Sequence, residues 1–187
     1  MPPKVKVTRE DILSVSMEII RKSGAESLNA RDIAASLNCS TQPIFSNFAT
    51  MSELKLAVVN EAEALYQSFI SREVERGEFP PYKASGIAYI KFAEEEKELF
   101  KLLYMRDRSN ENVIDDDNEL GREMVSIVKG NTGLKDESAK LFHLEMWIYV
   151  HGIASMVATG YLEFDKDLIS KMLTDCYQGL KTQYEKE

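Results

Sequence analysis

The sequence predicts an all-α protein, a three-helix helix-turn-helix head joined to a larger helical domain. Three observations carry that expectation. Only 5 prolines and 9 glycines punctuate 187 residues, so the segments between them are long, as helices require. Apolar residues make up 44% of the chain, enough for a real core. Helix-capping signals stand at the expected starts, and no stretch reads as a sheet.

The first helix is expected over 9–23. Thr8 can cap it, Asp11 stands at its third position, and Gly24 releases the chain at its end. Ile12, Leu13, Ser16, Met17, Ile19 and Ile20 form its inward face. Asn29 caps a short second helix, roughly 30–37, with Asp32 among its first amides. Ser40 is expected to cap a third, roughly 41–48, with Pro43 in its first turn and Ile44, Phe45 and Phe48 as apolar anchors. "TMSE" at 50–53 is a capping box that opens a fourth helix running to about Arg76.

"GEFPP" at 77–81 is the clearest break. Helix resumes over about 82–105, with an interruption near "EEEKE". "RDRSNENVIDDDNE" reads as loop passing into helix near Asp115, and "KGNTG" at 129–133 as a second break. "KDESAKLFHLEMWIYVHGIASMVATG" is one long helix, and Asp165 caps the last. The expected division is 1–54 for the head and 55–187 for the larger domain.

Net charge is -8, which argues against non-specific nucleic-acid binding by the whole chain. The charge is uneven. Residues 1–55 carry 7 Lys+Arg and 6 Asp+Glu, whereas the remainder carries 16 and 25. That asymmetry permits a nucleic-acid contact at the N-terminal end. Cys39 and Cys176 are too far apart in sequence to suggest a zinc site or a disulfide framework, which favours a reduced cytoplasmic setting. "MPPKVKVTRE" has no secretion-signal apolar stretch, and the run from Met146 is interrupted by His151 and too short to span a bilayer. No membrane partner is expected.

The segments 30–37 and 41–48, separated by a short turn, fit a helix-turn-helix. Ala34 is small where the helices would cross. Asn38 suits a left-handed turn, and Ile44 returns to the core. Thr41, Gln42, Ser46 and Asn47 then face outward, and the amides of Gln42 and Asn47 suit adenine. Arg31 and the free amides opening the second and fourth helices suit phosphates, and Lys4, Lys6 and Arg9 form a light basic arm. Short helices with small turn residues also occur in plain helical domains, so the pattern by itself leaves both readings open.

The stretch over about 9–58 resembles the TetR family of bacterial transcriptional regulators. The residues carrying the resemblance are the "IL" of the first helix, Gly24, "RDIAASL", Ser40, "IFSNF" and "ATMSELKLAV". Four positions depart from the family pattern. Asn38 replaces a turn glycine, Phe45 a tyrosine that touches phosphate, Asn47 a histidine, and Met51 a phosphate-holding lysine. The resemblance implies a DNA-binding set of Arg31, Ser40, Thr41, Gln42, Pro43, Phe45, Ser46, Asn47, Thr50 and Met51.

The resemblance also implies that the remainder binds a small molecule and forms a homodimer. "WIYVHGIASMVATG" is similar to a tryptophan/histidine/glycine helix of one large subset. Phe92, Leu103, Tyr104, Met105, Met146, Trp147, Tyr149 and His151 are expected to line the effector pocket. Ile153, Val157, Leu168, Met172, Leu173, Cys176 and Leu180 are expected at the dimer interface. His143, Trp147 and His151 share a face but leave a metal short of ligands. Asp115, Asp116 and Asp117 read as capping and solvation rather than a magnesium site. No metal, cofactor or catalytic arrangement is expected. The implied function is a repressor that binds a pseudo-palindromic double-stranded DNA operator as a dimer and is released by a small, mostly apolar effector. The alternatives are a regulator acting through protein contacts with a degenerate DNA head, and a helical ligand-binding or enzymatic protein.

Overall fold

A computed structural model describes residues 7–107 and 119–185. Lys4, Lys6 and the run Asp115–Asp117 lie outside the described residues. Among the described residues all regular structure is helical: α1 Arg9–Ser23, α2 Ala30–Ser36, α3 Gln42–Asn47, α4 Met51–Arg76, α5 Pro81–Glu95, α6 Lys97–Tyr104, α7 Glu119–Thr132, α8 Asp136–Ala158 and α9 Lys166–Tyr184. One 3₁₀ turn, Ala25–Ser27, follows α1. The chain forms two compact units. The first is Met1–Gln67 with Glu96–Arg106, and the second is Ser68–Glu95 with Asp107–Glu187.

In the first unit, α1 begins at a complete capping box. The Thr8 hydroxyl accepts from the Asp11 N–H at 3.1 Å, and the Asp11 carboxylate accepts from the Thr8 N–H at 2.9 Å. Those bonds hold the Asp11 carboxyl below its usual range, so their contribution is lost as pH falls through that lowered value. Ile12, Ser16, Met17 and Ile20 are buried, one side of a helix at spacings of three and four. Buried Ser16 donates to the Ile12 carbonyl at 2.7 Å, so its hydroxyl is satisfied within the helix. Gly24 adopts φ 79, a backbone angle that favours glycine, and a Cβ there would stand 3.3 Å from a Glu98 carboxylate oxygen, which would have to shift slightly.

Asn38 carries the only positive φ of a non-glycine residue among those described, at 50°. It turns the chain between α2 and α3. Ile33 and Ala34 from α2, Ile44 from α3 and Phe48 beyond it pack into the core with Leu54, Val58 and Ala62 of α4. The third helix starts one residue later than expected, and Ser40 does not cap it. Thr41 holds the cap position in α-helical geometry, with no side-chain cap bond. At α4 the Thr50 hydroxyl accepts from the Glu53 N–H at 3.1 Å, while Glu53 accepts from the Ala49 N–H at 2.7 Å, one residue earlier than a strict box. The first unit is completed by α6. Its Leu99, Phe100 and Leu103 are buried, and Tyr104 meets Tyr66 edge-on at 5.9 Å.

The second unit is layered around α8, which packs on α5, α7 and α9. Tyr82, Met124, Val128, Ala139, Phe142 and Met146 form one apolar cluster, with Tyr177 and Tyr184 of α9 against it. Gly86 of α5 faces Leu173 and Val150: a Cβ there would sit 3.5 Å and 3.6 Å from them, in ordinary van der Waals contact. The break expected over 129–133 is shorter than predicted. α7 runs through Gly130 to Thr132, and Gly133 at φ 75 ends it. Burial of Met124 and Val128 outweighs the roughly 1 kcal/mol that a helical glycine costs. By length and composition the 23-residue α8 is apolar enough to cross a membrane. Of that apolar window, 39% is buried within the protein.

Glu73 of α4 is a buried charge at 6% exposure. One carboxylate oxygen lies 2.6 Å from both Lys91 Nζ and Arg76 Nη1. Lys91 is itself mostly buried, so removing it leaves the buried carboxylate with only the more exposed Arg76 as a charged partner. Lys91→Met is expected to lower stability by about 2 kcal/mol, and the double variant Glu73→Leu/Lys91→Met to recover most of that loss. Urea unfolding of the three proteins checks the cycle.

Candidate nucleic-acid interface

The short α3 is anchored on one side and open on the other. Ile44 and Phe48 are essentially without exposure and lock its inner side. Gln42, Phe45 and Ser46 are exposed, and Thr41, Pro43 and Asn47 are half-buried. Arg31, Ser40 and Thr50 are exposed and Met51 is half-buried, so none of the ten residues expected at DNA is sealed in the core.

Their hydrogen bonds sort them further. Ser46 Oγ donates to the Gln42 carbonyl at 2.9 Å, and Asn47 Nδ2 donates to the Pro43 carbonyl at 2.8 Å. Both side chains fold back along their own helix. Gln42 keeps an exposed side-chain amide, whereas Asn47 has committed one of its two amide hydrogens. Phe45 stands out at 47% exposure, an apolar group suited to a thymine methyl.

The amides opening α2 are not free as expected. Asn29 Oδ1 accepts from the Arg31 and Asp32 N–H groups at 3.1 Å each. Nor is Arg9 part of a loose basic arm. Its Nη1 donates to the Asn47 carbonyl at 2.8 Å, and its guanidinium carbon lies 3.9 Å from the centre of the Phe48 ring. Sequence reasoning also passed over Lys55, exposed one helical turn after Met51, where four-residue spacing places it on a neighbouring part of the helix surface.

The eight residues expected at a pocket divide between the compact units. Leu103, Tyr104 and Met105 belong to the first; Phe92, Met146, Trp147, Tyr149 and His151 belong to the second. Phe92 is fully buried and meets Phe69 edge-on at 5.3 Å. Trp147 stacks on His151, with centroids 5.1 Å apart and planes at 15°. Each histidine is bonded to a tyrosine of α5: His143 Nδ1 lies 2.9 Å from the Tyr82 hydroxyl, and His151 Nδ1 lies 3.0 Å from that of Tyr89. His151 Nε2 also approaches Ser155 Oγ at 3.3 Å. The tautomer with its hydrogen on Nε2 satisfies both contacts, with Tyr89 donating and Ser155 accepting. Burial pushes the Tyr82 hydroxyl well above the ordinary tyrosine range, with the neighbouring Tyr177 and Cys176 adding to it. Among the described residues no group of three or more His, Cys, Asp or Glu is arranged to hold a metal.

The residues expected at a dimer interface differ in exposure within the single chain. Ile153 and Leu173 are 4% and 3% exposed, already spent on their own protomer's core. Val157, Met172, Cys176 and Leu180 are half-buried, and Leu168 is exposed. α8 also carries an outward apolar row, Leu141, Leu144, Ile148 and Met156, exposed at 50%, 46%, 57% and 38%. Its spacing of three, four and eight residues was readable, but α8 is apolar on nearly every side, which hid the row.

Comparison with known proteins follows the same architecture. The family described as "Tetracyclin repressor-like, C-terminal domain" matches residues 82–176. A solved protein with unknown function from Rhodococcus sp. RHA1 superposes with a TM-score of 0.72 at 20% identity, covering 98% of each chain. A TetR-like transcriptional regulator from the same organism gives 0.65 at 15% identity, over 95% of this chain and 96% of that one. A putative TetR-family transcriptional regulator from Vibrio parahaemolyticus gives 0.63 at 16%, over 91% and 96%. Comparison with curated proteins finds no match. The family match over half of the chain, on an all-helical fold that its solved neighbours share nearly end to end, shows that this chain belongs to the TetR family of transcriptional regulators.

Proposed function

We propose that the protein is a ligand-responsive repressor. It binds a pseudo-palindromic DNA operator as a homodimer and is released by a small, mostly apolar molecule. The observation that carries this reading is the two-sided character of α3, with Ile44 and Phe48 locked inside and Gln42, Phe45 and Ser46 outside. Residues 1–54 serve as the reading head and 55–187 as the effector and dimerisation part. Gln42 reads a base edge, and Phe45 makes an apolar base contact. Arg31, Thr50 and Lys55 face phosphates. Lys55 supplies the positive charge that Met51 lacks.

The two roles separate experimentally on a duplex selected by the wild-type protein from a random pool. Gln42→Ala is expected to lower affinity about tenfold and relax preference at one base pair. Lys55→Ala is expected to weaken all duplexes alike and reduce the salt slope by about one. Equal effects on selected and random duplexes from both variants would remove the base-reading role of α3.

The exposed row on α8 supports a second copy as partner. A symmetric contact pairs one patch with itself, and a small residue at its centre lets backbones approach. Gly152 lies four residues from both Ile148 and Met156, and a Cβ there would meet nothing within 4 Å. For the effector, the aromatic interior of the second unit supports an apolar molecule. Trp147 is the only tryptophan, so its emission reports occupancy directly. A panel of hydrophobic compounds that quench Trp147 should lower DNA affinity; quenching with unchanged affinity contradicts release.

A further inference from the structure

We propose that Arg9 is a positioning residue for recognition, holding α3 at its working angle from the start of α1 without touching the duplex; the recognition role rests on the DNA-reading function proposed above. α3 has six residues, fewer than two turns, and cannot hold itself in place by its own hydrogen bonds. Its inner anchors Ile44 and Phe48 set its depth. They leave rotation about the line joining them to be fixed by something else. Arg9 supplies that restraint. Its Nη1 donates to the carbonyl of Asn47, the last residue of α3, at 2.8 Å. The guanidinium carbon lies over the Phe48 ring, 3.9 Å from its centre. The same Nη1 faces Glu53 Oε1 at 3.5 Å, and the other oxygen of Glu53 accepts from the Ala49 N–H at 2.7 Å. One side chain from α1 therefore touches the end of α3, the residue after it and the first turn of α4.

The chemistry suits arginine. A carbonyl at a helix C-terminus has no partner within its helix and carries the negative end of the helix dipole, which a guanidinium answers. The planar fork can stack on a ring and donate in its own plane at once, which an ammonium cannot. The ion pair with Glu53 is more than two-fifths exposed on both sides and contributes little by itself. The geometric restraint is the larger effect. Arg9 already has a carbonyl, a ring and a carboxylate as partners, so the positive charge that sequence alone would give to a phosphate is committed inside the head.

The test compares wild type with Arg9→Met. In the free protein, amide exchange at Phe45 and Phe48 is expected to rise about tenfold relative to Ile12 and Ile20 of α1. Unchanged exchange at α3 overturns the proposal, and this reading needs no DNA. On a duplex selected by the wild type, affinity is expected to fall about tenfold with the salt slope unchanged. A slope reduced by about one, with equal loss on a random-sequence duplex, makes Arg9 a phosphate contact and overturns positioning. Should Arg9→Met lose its helical signal, the same readings are taken on Arg9→Lys, which keeps a cation over the Phe48 ring but not the fork. Its exchange at α3 is expected to rise about threefold, and wild-type exchange overturns the proposal. A wild type that selects no duplex removes the regulator reading, and exchange at α3 then decides whether Arg9 fixes that helix.

Discussion

Ile148→Asp is expected to convert the protein from dimer to monomer at micromolar concentration and to lower its affinity for a selected duplex at least about a hundredfold. The residue is 57% exposed, with Leu144 before it and Gly152 after it on the same row of α8. A twofold contact places the substitution in both copies, so two carboxylates would face one another in an apolar seam, each without a partner. The protomer itself should remain folded, because the substituted side chain lies outside its core. Sedimentation velocity gives the mass, and far-UV circular dichroism shows whether the helices persist. A variant that remains dimeric moves the contact away from the α8 row. On the proposed function each head would read one half-site, so a monomer would keep only part of the binding energy.

Phe48→Ala should have the second large effect. Phe48 is 1% exposed and is among the largest fully buried side chains of the described chain. Truncating a buried phenylalanine costs about 3–5 kcal/mol, through lost transfer energy and the cavity left behind. Here the change also removes the ring under the Arg9 guanidinium. The loss should fall on the reading head first. Amide exchange in α1, α2 and α3 is expected to accelerate strongly while that of the α8 core changes far less. A uniform acceleration through α8 would mean that the head and the effector part unfold as one cooperative body.

Much of this architecture was legible because its signals are local. Thr8 and Asp11, Asn29, and Asp165 announce helix starts through bonds to amides two or three residues on, and Asp165 accepts from the Leu168 N–H at 2.7 Å as such a signal requires. Asn38 in the turn is the same kind of evidence, a residue chosen for a backbone angle. What escaped the sequence depends on contacts between distant residues. Nothing near Arg9 says that its side chain will reach a carbonyl 38 residues away. Asn47 looks like a reading amide until its helix forms and the Pro43 carbonyl comes within its reach. On α8, the inward row at Phe142, Met146, Val150 and Ile153 and the outward row at Leu141, Leu144, Ile148 and Met156 are equally apolar. Only the packing of α5, α7 and α9 shows which row is covered. Gly130 misled for a related reason, since burial of its neighbours overrides a local preference against helix.

The central claim, that two copies of α3 read DNA together, is tested most directly by selecting duplexes from a random pool with the full-length protein and sequencing those retained. The account predicts an inverted repeat whose half-site centres lie about one helical turn or a multiple of it apart, with Gln42→Ala relaxing one position symmetrically in both halves. Retained sequences with no common pattern, or a single unpaired site that Gln42→Ala leaves unaltered, would contradict it.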